Sequence, residues 1–84
     1  MTSDYSDDMA ALSRLVLAGW QGTPIGNPAA PEVLVYVRPR SAYVDSVYVT
    51  GPDRATAIRK NMLGSRLRNV DGTCAEVVNE VLGW

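Results

Sequence analysis

The sequence contains no histidine. That absence removes Ser-His-Asp and Cys-His arrangements, histidine-bearing zinc sites and any imidazole acid or base working near neutral pH. Cysteine occurs once, as Cys74, so neither an internal disulfide nor an all-cysteine tetrahedral metal site fits within one chain. A lone thiol accords with a reducing compartment. No apolar run reaches the roughly 18 residues that cross a bilayer, and Asp4, Asp7 and Asp8 stand where a signal peptide carries basic residues. These absences predict a cytoplasmic protein that is not an enzyme of the usual acid, base and nucleophile kind, with no cofactor, no metal and no membrane partner.

What is present is an ordinary globular composition. Of the 84 residues, 46% are hydrophobic and 20% charged, with no repetitive or long polar tract, so residues 1–84 are expected to fold as a single domain. A chain this short buries a marginal core, a shortfall that a homodimer or another protein partner would relieve. Seven of the eight basic side chains are arginine, Lys60 being the exception; this bias carries no mechanistic weight.

Residues 1–5 read as a loose terminus. A helix should begin at Ser6 or Asp7, with Met9, Leu12, Leu15, Val16 and Trp20 as its core stripe and Gly19 and Gly22 as stop signals. The stretch QGTPIGNPAAP, residues 21–31, holds three prolines and two glycines and is expected to be a loop. It is read as a connector over the helix; the competing readings are a partner-binding arm tipped by Ile25 and a polyproline II segment from Pro28 to Pro31. EVLVYVR, residues 32–38, is a strand with Val33, Val35 and Val37 on one face and Leu34 and Tyr36 on the other. Both faces are apolar, which predicts cover by helices on one side and a second subunit on the other.

After a turn at Pro39, Arg40 and Ser41, residues 42–50 return as the second strand of a hairpin. Asp45 and Ser46 fit its alternation poorly and suggest a bulge or a strand end. From GPD, residues 51–53, the spacing of Ala55, Ile58 and Met62 predicts a helix through Leu63, ended by Gly64. Residues 65–70 read as an irregular link or, as favoured, a weak edge strand protected by arginine. TCAE, residues 73–76, has the spacing of a capping box, and Cys74, Val77, Val78, Val81 and Leu82 then give the last helix an apolar face. The fold class expected is α+β: helix, β-hairpin, helix, short strand, helix, with the helices packed on a short, mainly antiparallel sheet.

Tyr36, Tyr43 and Tyr48 with Arg38 and Arg40 raise the question of a nucleic-acid platform. From Arg38 to Arg68 seven basic residues meet only Asp45 and Asp53, while the whole chain sits at −1. Strand alternation, however, places Tyr43 opposite Tyr48, and a pI near 5.1 is far from that of most nucleic-acid binders. A non-catalytic, self-associating interaction or regulatory module is therefore favoured, acting through Ile25, Tyr36, Arg38, Arg40, Tyr43, Tyr48 and Trp84; a nucleic-acid accessory factor using residues 38–68 is the alternative. Arg54 and Arg59 offer a weak anion site at the expected helix start. Cys74 at a helix start is either a thiol activated by the dipole or a buried small side chain, the latter favoured. Glu76 and Glu80 are read as a capping and a solvent-facing carboxylate rather than a catalytic pair.

Overall fold

The computed structural model describes residues 6–27, 30–51 and 53–84. Helix α1 (Ser6–Leu17) opens with Asp7 and Asp8, both favourable at the positive end of the helix dipole. Its inward stripe is Asp8, Ala11, Leu12 and Leu15, whereas Met9 and Val16, expected in the core, are 61% and 56% exposed. The rotation has a cause: the Asp8 carboxylate accepts the Ala75 N–H of the second helix at 2.9 Å. Gly19, with φ of +96°, then reverses the chain. The Trp20 amide reaches back to the Leu15 carbonyl at 3.0 Å, which tucks the indole into the core.

Five strands follow in an antiparallel meander: β1 (Gln21–Asn27), β2 (Ala30–Pro39), β3 (Tyr43–Gly51), β4 (Arg54–Asn61) and β5 (Arg66–Gly72), neighbours in space as in sequence. Helix α2 (Cys74–Leu82) closes the chain, and its capping box forms: Thr73 accepts from the Glu76 amide while the Glu76 carboxylate accepts from the Thr73 amide. Among the described residues the result is a small α+β domain with two helices and a five-stranded sheet.

Two expected elements are overturned. In place of the helix predicted from residue 51 to Leu63 stands strand β4, and of the loop predicted over 21–31 residues 21–27 are β1 and residues 30 and 31 begin β2. In β4 the buried residues alternate, Ala55, Ala57 and Arg59 inward against Thr56, Ile58 and Lys60; the spacing of Ala55, Ile58 and Met62 matched a helix only by coincidence. Alanine favours helices, but pairing with β3 on one side and β5 on the other decides. Pro24 is tolerated because β1 is an edge strand. Pro52 of the expected helix start, and Pro28 and Ala29 of the polyproline segment, fall outside the described residues, while Ala30 and Pro31 belong to β2. The doubtful strand at 65–70 is real and forms the other edge.

Cross-strand partners share a face, so the register sorts every strand residue. Leu34, Tyr36, Val47, Val49, Ala55, Ala57 and Val70 meet α1 and α2 in one core with Leu12, Leu15, Trp20, Cys74, Val77, Val78 and Val81. Small alanines on β4 let α2 approach the sheet closely. Both helices therefore sit on one face. No bulge occurs at Asp45 and Ser46; the register shifts in β3 lie between Val49 and Gly51.

Candidate functional site

The opposite sheet face carries Ile25 on β1, Val33, Val35 and Val37 on β2, Val44 and Tyr48 on β3, and Ile58 on β4. None of these belongs to the core cluster, and among the described residues no helix lies over them. Even so, Val35 is only 9% exposed, screened by its neighbours within the sheet. An antiparallel sheet with a solvated face normally alternates apolar with polar residues. On this one Val33, Val35 and Val37 of β2 adjoin Tyr48 of β3, Ser46 separates Val37 from Ile58, and Thr23, Thr56 and Asn69 flank them.

A second cluster stands on the helix-bearing face at the end where β2 turns into β3 and β4 into β5. Asp45, which spoiled the strand pattern, is fully buried and is the centre of an ion-pair network. Arg59 donates through Nε to Oδ1 at 2.7 Å and through Nη2 to Oδ2 at 3.0 Å, and Arg40 donates through Nε to Oδ2 at 3.0 Å. The Arg59 guanidinium lies 3.9 Å from the Tyr43 ring centroid and 5.3 Å from that of Trp84, and also donates to the Trp84 carbonyl at 3.2 Å. Its hydrogen bonds to Asp45 raise its pKa, outweighing the opposing effect of burial. Arg59 is thereby a fixed cation that fastens the end of α2 to β3 and β4.

The site residues proposed from sequence divide accordingly. Ile25 and Tyr48 lie on the uncovered face; Arg40, Tyr43 and Trp84 gather around Arg59; Arg38 shares the row of Asp45. Tyr36 packs against the core and over Gly22, its phenol raised in pKa by burial and then by Cys74. The tyrosines thus form no common platform. Arg54 is exposed on β4, and Arg59 is engaged with Asp45; the helix start that would have supplied their anion site does not exist. Cys74 is fully buried and its pKa is raised, by burial first and then by Asp8 and Asp53, opposite to the dipole-activated thiol weighed from sequence. Glu76 serves the cap, and Glu80 accepts the Trp84 indole N–H at 3.1 Å.

Charge is segregated along the strands. Arg38, Arg40, Arg59, Lys60, Arg66 and Arg68 crowd the end with the Arg59 cluster, where the carboxylate side chains among the described residues are Asp45 and Glu80. Asp8, Asp53, Asp71 and Glu76 lie towards the other end with Arg54. Sequence reading missed Val35, Val37 and Ile58 as surface residues and Asp45 as a network centre; the pairing of Asp45 with Arg59 spans 14 residues and leaves no local signal. Compared with models of known families, with characterised proteins and with solved structures, the chain matches none.

Proposed function

We propose that the chain is a small, non-catalytic interaction module, acting in the cytoplasm, whose uncovered sheet face pairs with a second copy of itself. The observation that carries this is the apolar surface of Val33, Val35 and Val37 on β2 with Tyr48 on β3, and Ile58 beyond Ser46 on β4, with both helices on the other side of the sheet. Five strands spaced by ~4.8 Å and roughly seven residues long give a face on the order of 500 Å² in projection. A pair would bury about 1,000 Å², the size from which a specific interface is argued.

Charge favours a second copy over an unrelated protein. On the uncovered face Lys60 and Arg66 pair across β4 and β5 at the basic end, and Asp71 lies two rows away beside Thr56. Face-to-face packing with the strands of the two copies running in opposite directions sets Lys60 and Arg66 of one towards the Asp71 end of the other. Pairing in the same direction would set two basic ends side by side. Such a twofold interface is self-complementary and leaves the Arg59 cluster outside it. Replacing the central Tyr48 by glutamate places a charge in each half of the interface and should give a folded monomer; an unaltered mass with an intact fold would count against this reading.

A further inference from the structure

The turn between β4 and β5 presents the two most exposed apolar side chains at the basic end, Leu63 at 91% and Met62 at 67%, with Leu67 at 50% just beyond. The turn is held firmly. The Asn61 side-chain oxygen accepts the amides of Leu63 and Ser65, both at 2.9 Å. The Asn61 amide donates to the Ser65 carbonyl at 3.0 Å, the Gly64 amide to the Asn61 carbonyl at 3.0 Å, and Gly64 takes φ of +84°, which a side chain would resist. Aliphatic groups are therefore held out into solvent by a built loop, with Lys60, Arg66 and Arg68 beside them.

We propose that this tip docks on an anionic lipid surface. A rigid pair of aliphatic side chains ringed by cations matches a headgroup layer, where the apolar groups enter the acyl boundary and the cations meet acidic lipids. Neither tip residue is aromatic, so neither can stack on the bases of a single strand. The acidic groups near the start of β4 stand back by the length of the strand, eight residues or about 26 Å, roughly three Debye lengths in physiological salt. Within one chain their repulsion is screened while the basic end is in contact; in the pair proposed above the second copy brings its Asp71 towards Lys60 and Arg66, and the cations left to the lipid are Arg38 and Arg68 on the helix-bearing face. The sequence predicted no membrane partner because that prediction concerned spanning segments, and a tip that rests on a surface needs none. The cytoplasmic leaflet is the acidic one, which agrees with the location proposed above.

The test is flotation of the full chain with vesicles of phosphatidylcholine alone and of phosphatidylcholine containing phosphatidylserine, alongside Met62→Asp/Leu63→Asp. Expected is recovery with the acidic vesicles only, diminished by added salt, and a fall of roughly tenfold or more in partitioning for the variant. The variant should keep the melting behaviour and the mass of the wild type, which separates this surface from the pairing face. Absence of binding to the acidic vesicles at low salt overturns the proposal. So does binding that the two aspartates leave unchanged, or a preference for duplex DNA over the acidic vesicles.

Discussion

Removal of the Asp45 carboxylate should be among the most damaging single changes to this protein. Asp45→Ala takes away two charge-assisted hydrogen bonds from Arg59, at 2.7 and 3.0 Å, each worth about 1.5–3 kcal/mol. It also leaves the Arg59 side chain, only 9% exposed, as a cation without its partner. Breaking a buried pair in this one-sided way costs about 3–5 kcal/mol, a large part of the roughly 4–13 kcal/mol expected for a chain of 84 residues. Arg40→Ala removes a single bond from a side chain that is 27% exposed and leaves Arg59 in place, so about 1 kcal/mol is expected. Asp45→Leu combined with Arg59→Met removes both charges and should recover most of the loss. Urea unfolding followed by far-ultraviolet circular dichroism measures all three. A loss below about 1 kcal/mol for Asp45→Ala, or a double variant no better than the single one, would refute the reasoning.

Other consequences can be checked with the same unfolding assay. Thr73→Ala abolishes the capping box and should cost about 1 kcal/mol; no change in the urea midpoint would show that the cap contributes nothing. Asp8→Ala removes the acceptor of the Ala75 amide and should cost about 1–3 kcal/mol, because a donor at the helix interface is left without its partner. The raised pKa of Cys74 has a defined sign: the folded state favours the thiol, so its contribution is fully present below the unfolded value of 9.0 and is lost as pH rises through the higher folded value. Stability should therefore decline above about pH 9, with Cys74→Ala removing the first part of that decline, and Tyr36→Phe the part that begins near its ordinary value of 10.0. An identical pH profile for wild type and Cys74→Ala would contradict the assignment.

What could be read from the sequence was whatever repeats locally. The alternation of Val33, Val35 and Val37 against Leu34 and Tyr36 identified β2, and the spacing of Thr73 and Glu76 identified the start of α2. The placing of Tyr43 and Tyr48 on opposite faces followed from strand parity alone. What escaped was decided at a distance. Residues 54–61 have alanines that suit either structure, and an inward arginine disguised the alternation until Asp45 was seen as its partner. Pro24 and Gly22 suggested a loop, yet β1 is an edge strand, where a missing amide hydrogen is harmless and Tyr36 fills the space beside the glycine. Met9 and Val16 fitted the helical period of α1, but the bond from Asp8 to α2 turned them outward. The two-faced apolar character of β2 was visible from its composition; in the sheet the helices cover one of those faces and leave the other uncovered.

Pairing through the uncovered sheet face is tested by the mass in solution of the wild type and of Tyr48→Glu, by light scattering on a sizing column, with circular dichroism to show that both are folded. Twice 9.1 kDa is expected for the wild type and a single chain for the variant. A wild type that remains a single chain at every concentration reached, or a Tyr48→Glu variant that keeps the doubled mass, would contradict it.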